Sequence, residues 1–126
     1  MKVFPQLQPH IPRIVLSHNP DTAAILMRWR VDLQLSGHTH GGQIVLPWLV
    51  PALQLLKQFG RYVPPFLLSP LSFLKPYIGL VQNWQWVQGW HRIGDNQLYV
   101  NRGLGTYFPG RFACPPEVTA IRLKGN

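Results

Sequence analysis

Arg13-Ile14-Val15-Leu16-Ser17 is a short β-branched run of the kind that forms a buried strand, and it stops at His18-Asn19-Pro20-Asp21. Asn19 is placed to cap a helix whose first position is Pro20, where a missing N–H costs nothing, and Thr22 to Trp29 continues that helix for about two turns. Val31-Asp32-Leu33-Gln34-Leu35-Ser36 then alternates apolar and polar residues, the period of a strand with two unlike faces. It delivers the chain to Gly37-His38-Thr39-His40-Gly41-Gly42. Farther on, Trp84 to Gly89 and Gln97 to Asn101 read as the strands of a hairpin turning at Gly94-Asp95-Asn96, and Val118 to Leu123 alternates as a last strand. No internal repeat is apparent, and strand, helix, strand in sequence predicts an α/β arrangement.

The stretch between these halves has a different character. Residues 44–83 are rich in Leu, Pro and aromatics, carry only Lys57, Arg61 and Lys75 as charges, and read over 46–83 as an insertion within one domain spanning 1–126. Pro47, Pro51, Pro64, Pro65, Pro70 and Pro76 break it too often for a membrane-spanning helix. Trp48, Phe59, Tyr62, Phe66, Phe73 and Tyr77, interleaved with the three cations, have the makeup of a segment lying among lipid headgroups, so a membrane surface is one expected partner.

Composition narrows the classes further. With 46% hydrophobic and 13% charged residues in a chain of 126, this is one small domain that needs a core or a partner, not a self-repelling disordered tail. Thirteen prolines exclude a helical bundle. The net charge of +8, twelve Lys and Arg against Asp21, Asp32, Asp95 and Glu117, favours anionic partners without naming one. Cys114 is the single cysteine, so no internal disulfide and no Cys-rich zinc site can form. Met1–Gln6 lacks the apolar run of about 7–15 residues that a secretory signal needs, and the expected location is cytoplasmic, with a peripheral place at the membrane as the variant.

The sharpest chemical feature is His38-Thr39-His40, reached straight from a strand. In extended backbone, residues two apart share a face, so both imidazoles could converge on one volume and hold Zn, Mn, Fe or Ni. His18 also lies just past a strand, and if the two strands are parallel neighbours its ring arrives at the same edge. The alternative is an ordinary turn with a surface pair of histidines. His10 and His91 read as structural. Arg102 and Arg111 could meet a substrate phosphate or serve packing, Gly41 and Gly42 allow a tight turn, and Cys114 reads as a buried small hydrophobe.

Four segments carry a resemblance: Ser17-His18-Asn19-Pro20-Asp21, Leu35 to Ile44 (LSGHTHGGQI), Leu98 to Thr106 (LYVNRGLGT) and Arg111 to Val118 (RFACPPEV). In this order they resemble the carboxyl-terminal half of the calcineurin-like metallophosphoesterases, above all the bacterial branch with membrane-associated phosphodiesterases acting on lipid-linked sugar nucleotides. The match covers roughly 14–46 and 84–123. The resemblance implies an α/β (α+β) fold, half of a four-layer αββα sandwich. It implies two divalent metal ions (Mn, Fe, Zn or Ni), with His18 and His38 as ligands of the second ion and His40 as a ligand of the first. A hydroxide held between the ions would attack phosphorus, and no side chain would act as a catalytic nucleophile. Phosphodiester or pyrophosphate bonds, in phosphorylated or lipid substrates, are the implied targets.

The sequence departs from the family pattern in lacking its earlier motifs: an Asp-x-His, a Gly-Asp whose aspartate bridges the ions, and an Asn-His. Gly94-Asp95 lies far downstream in a predicted turn and does not fill the bridging role. The expectation is therefore a fragment, inactive alone, whose partner is the missing amino-terminal half. The alternative is a non-catalytic basic and aromatic module binding membrane or nucleic acid. Nucleic acid is the less expected partner, because the missing half would carry most of the carboxylates that balance the charge. A histidine site for one structural metal is the third option.

Overall fold

A computed structural model describes residues 7–45, 52–69, 79 and 81–124, and the parts of the 46–83 insertion at 46–51, 70–78 and 80 lie outside the described residues. Four strands form one mixed sheet: β1 (Ile14–Leu16), β2 (Leu33–Ser36), β3 (Gly89–Ile93) and β4 (Asn96–Val100), in the spatial order β1-β2-β4-β3. β1, β2 and β4 run parallel, and β3 pairs antiparallel with β4. The expected α/β class is the observed one. Three carboxyl ends of parallel strands thus meet at one rim of the sheet, the place where open α/β sheets put their ligands.

Between β1 and β2 the chain turns as Asn19 predicts. Its side chain accepts the Asp21 N–H at 2.9 Å, Pro20 opens a 3-10 turn through Thr22, and α1 (Ala23–Leu26) follows. The helix is shorter than the Thr22–Trp29 pattern suggests because Asn96 ends it. The Asn96 amide donates to the carbonyls of Leu26 and Trp29 at 3.0 and 2.9 Å, and its oxygen accepts the Val31 N–H at 2.9 Å. Ala23 packs with Ile93, Leu98 and Val100 in the main apolar cluster, against which Trp86 rests. On the same sheet face, the buried Gln34 donates to Thr22 and Ser36.

The opposite face is apolar, covered at its centre, where Leu33 and Tyr99 are buried, and exposed on its edge strands. Register aligns Leu16, Leu35, Tyr99 and Trp90 across all four strands, with Leu16 79% and Trp90 55% exposed. Among the described residues of the insertion, α2 (Ala52–Phe59), a 3-10 turn at Gly60–Tyr62 and α3 (Pro65–Leu68) expose Phe59, Tyr62, Phe66 and Leu67. No helix among the described residues is long and apolar enough to cross a membrane.

Two predicted strands are absent. Trp84–Trp86 is a 3-10 turn, because side chains elsewhere claim the backbone a strand would need: Asp21 accepts the N–H groups of Gln82 and Asn83 at 2.8 Å each, and Thr39 donates to the Val87 carbonyl at 2.6 Å. Val118–Leu123 forms no ladder despite its alternation. β4, the strand its side chains reach, already has a neighbour on each side.

That last segment is anchored by side chains instead. Glu117 accepts hydrogen bonds from the Tyr99 hydroxyl, from Thr119 at 2.6 Å and from Arg102 Nε at 2.8 Å. Burial alone would raise the Glu117 pKa, but the bonds from Thr119, Tyr99 and Arg102 outweigh it and bring the group down to about 2. A carboxyl whose folded pKa lies below the unfolded value of about 4.3 adds stability above that value and loses it as pH falls through the folded one. Stability should therefore decline between about pH 4.5 and pH 2. Glu117→Gln is expected to flatten this limb and to cost about 1–2 kcal/mol at pH 7, read by urea denaturation across pH. Asp21 and Asp32, also held low by hydrogen bonds that outweigh burial, supply what acid sensitivity remains.

Candidate metal centre

His18 follows β1 and His38 follows β2, and the parallel register brings their loops together. The Gly37 N–H donates to the His18 carbonyl at 3.1 Å, and the ring nitrogens His18 Nε2 and His38 Nδ1 lie 3.0 Å apart. The rings meet edge to face with centroids at 4.7 Å. His18 is exposed and His38 half-buried, so the pair opens to solvent at the rim.

His40 goes elsewhere. Its Nδ1–H donates to the Gly105 carbonyl at 2.9 Å, and its ring packs edge to face on Tyr107 at 5.2 Å. Extended backbone, the premise for placing His38 and His40 on one face, is not what the loop adopts. His38, His40, Gly41 and Gln43 have φ of 70°, 51°, 65° and 55°, in the left-handed region. Such angles in non-glycine residues cost of order 1–3 kcal/mol each and cluster where function holds them. Among the described residues, no three His, Cys, Asp or Glu side chains converge on one point.

Neighbouring residues explain how the loop keeps this shape. A Cβ on Gly41 would come within 2.6 Å of Arg102 Cγ and 2.7 Å of Cys114 Sγ, so only glycine fits. Cys114 is buried, with its sulfur 3.3 Å from the His40 carbonyl. Gln43, 2% exposed, donates to the Tyr107 carbonyl at 2.8 Å and accepts the Tyr107 N–H at 3.2 Å. Sequence reasoning passed over Gln43; its place after two glycines gave no signal that its amide would hold a loop more than sixty residues away. Arg111 and Arg102 are packing residues in this structure, the former bonded to backbone carbonyls and the latter to Glu117. His91 donates to the Gln88 carbonyl, a structural bond as expected.

The donor chemistry fits divalent metal. Two imidazole nitrogens 3.0 Å apart match the spacing of adjacent donors around a six-coordinate ion at about 2.1 Å. His40 donates from Nδ1 to a carbonyl, the arrangement that commonly leaves Nε2 of a ligating histidine for the metal. Three of the chain's four carboxylates are committed elsewhere, Asp21 to Gln82 and Asn83, Asp32 to Arg13 and Arg30, and Glu117 to Tyr99 and Arg102; Asp95 is fully exposed in the turn between β3 and β4, 3.8 Å from Arg92.

The geometry gives a pair of imidazoles at the rim; the class of protein comes from comparison with known proteins. The chain is 39% identical over 114 residues to an uncharacterized metallophosphoesterase, YkuE, of Bacillus subtilis (strain 168), a match covering 90% of this chain and 31% of that protein. It is 37% identical over 122 residues to the UDP-2,3-diacylglucosamine pyrophosphatase LpxG of Chlamydia trachomatis, covering 96% of this chain and 32% of that one. It is 31% identical over 119 residues to the phosphodiesterase YaeI of Escherichia coli (strain K12), covering 94% and 35%. The chain belongs to the metallophosphoesterase family. It spans about a third of the length of these relatives. No family model and no solved structure matches it.

Proposed function

We propose that this chain supplies the histidine ligands of a two-ion phosphoesterase centre whose carboxylate ligands lie on polypeptide outside these 126 residues. The observation that carries the reading is the His18 Nε2–His38 Nδ1 pair, 3.0 Å apart at the carboxyl ends of adjacent parallel strands. On this reading His18 and His38 serve one ion and His40 the other, which agrees with the pairing of the first two and the separate contacts of the third. Relatives three times as long, the commitment of Asp21, Asp32 and Glu117 to other partners, and the exposed Leu16 and Trp90 at the two ends of the apolar row support a partner in the remaining half of the domain. That half would cover the apolar face and bring the bridging carboxylate. The chain by itself would then be inactive.

A pair of divalent ions supplies Lewis acidity at phosphoryl oxygens and brings the pKa of bound water to about 7. The chain's own part is to present three imidazole donors at fixed places along a rigid rim. The favoured substrates are phosphodiesters or pyrophosphates, with a lipid-linked sugar nucleotide suggested by the name of the chlamydial relative. Phe59, Tyr62, Phe66 and Leu67, exposed beside Lys57 and Arg61, suit contact with a lipid surface and also favour a second reading, a non-catalytic membrane-binding module.

Mixing the chain with a polypeptide carrying the amino-terminal motifs of a relative, then adding Mn²⁺ and bis(4-nitrophenyl) phosphate, separates the two readings. Hydrolysis is expected from the mixture and not from either part. His38→Ala in the mixture should lower it at least about 100-fold. A well-folded, Mn²⁺-loaded mixture without hydrolysis argues for the membrane module.

A further inference from the structure

The Arg111 side chain is the most heavily bonded group near the histidine loop. Its guanidinium donates to five backbone carbonyls. NH1 reaches His40 at 3.2 Å and Cys114 at 3.4 Å; NH2 reaches Arg102 at 2.8 Å, Gly103 at 3.0 Å and Gly105 at 2.6 Å. Nε adds a second bond to the Gly105 carbonyl at 3.2 Å. An arginine carries five N–H donors in a rigid planar fork, so nearly the whole fork is spent on main chain. Little is left for a phosphate ligand.

The place where these bonds converge matters. The Gly105 carbonyl, which Arg111 grips with two of its nitrogens, is the acceptor for His40 Nδ1–H. The other end of that loop is held by Gln43 on the Tyr107 main chain. A neutral imidazole carries one proton, and the nitrogen that finds a fixed acceptor keeps it. We propose that Arg111 is a positioning residue that acts through the Gly105 carbonyl to fix the tautomer of His40, keeping the proton on Nδ1 and leaving the Nε2 lone pair to a divalent cation. Its importance for a metal centre rests on the reading of His40 as a ligand; the coupling from Arg111 to Gly105 to His40 is a property of the chain itself.

The test is the ¹⁵N spectrum of the imidazole side chains in the metal-free full chain at pH 8 for wild type, Arg111→Gln and Arg111→Lys. Wild type should show His40 in the Nδ1–H form. Arg111→Gln should shift it to a mixture with the Nε2–H form, while His91, which is bonded to a carbonyl that Arg111 does not touch, stays unchanged. Arg111→Lys should fall between, because one ammonium can engage Gly105 but cannot bridge the other carbonyls as the fork does. If Arg111→Gln does not fold, Arg111→Lys decides by the same readout.

Zn²⁺ titration of the same proteins is expected to show binding through His40 weakened about 10-fold in Arg111→Gln, the lower end of the range for groups behind a metal ligand. A wild-type His40 in the Nε2–H form overturns the proposal, as does a folded variant whose His40 tautomer is that of wild type. A tautomer that follows Arg111 supports the positioning role whether or not the two-part mixture hydrolyses bis(4-nitrophenyl) phosphate, so the two can fail separately.

Discussion

Asn96→Leu should destabilise the fold by about 3 kcal/mol or more, read as a drop in the urea midpoint with the slope unchanged. Asn96 is the first residue of β4 and is buried, and its amide serves three main-chain groups at once: the Val31 N–H and the carbonyls of Leu26 and Trp29. Leucine has nearly the same volume and offers none of these bonds. The buried Val31 N–H and the part-buried Trp29 carbonyl would lose their partner, at about 1–3 kcal/mol each, while the Leu26 carbonyl would keep the Trp29 N–H alone. Against a total stability of about 5–15 kcal/mol, that is a large fraction. Asn96→Asp should fall between, since it keeps the acceptor for Val31 but brings a charge to two carbonyls.

The second large effect falls on metal binding. His18→Ala and His38→Ala should each weaken Mn²⁺ or Zn²⁺ binding at the rim by about 100-fold or more, because losing a ligand costs more than the 10–100-fold typical of losing a group behind one. The corresponding changes at His10 and His91 should leave the affinity within about twofold. Calorimetric titration with each metal reads this directly. His18 is exposed and His38 half-buried, and neither belongs to the cluster of Ala23, Ile93, Leu98 and Val100. The folded state should therefore survive both substitutions, and loss of binding would not be a consequence of unfolding.

What the sequence made legible follows from how local each signal is. Asn19-Pro20 specifies its own turn, since the cap bond closes within two residues, and the turn forms as read. β1 and β2 were readable as strands, and their parallel pairing stood as a condition that the structure meets. The hairpin at Gly94-Asp95 was likewise local. Longer-range effects were not readable. Asp21 captures Gln82 and Asn83 some sixty residues away, and this turns the predicted strand at Trp84 into a 3-10 turn. The alternation in Val118–Leu123 carries no information about whether a strand edge is open beside it, and both edges of β4 are taken.

The candidate site divides in the same way. That His18 and His38 meet followed from their places after two strands once those strands were taken as parallel neighbours. That His40 turns toward Gly105 was not, because the left-handed angles at His38, His40, Gly41 and Gln43 depend on Arg102, Cys114 and Arg111 packing from the far end of the chain. The apolar row from Leu16 to Trp90 is visible in sequence only as alternation; that its ends are exposed while Tyr99 is buried is a property of the fold.

The central claim is that His18 and His38 hold one divalent ion between them. Crystals of the chain soaked in Zn²⁺ and measured on both sides of the zinc absorption edge test it most directly. The account predicts an anomalous peak within about 2.1 Å of both His18 Nε2 and His38 Nδ1. A structure in which zinc occupies His10 or His91 while those two nitrogens still face each other across a hydrogen bond would contradict it.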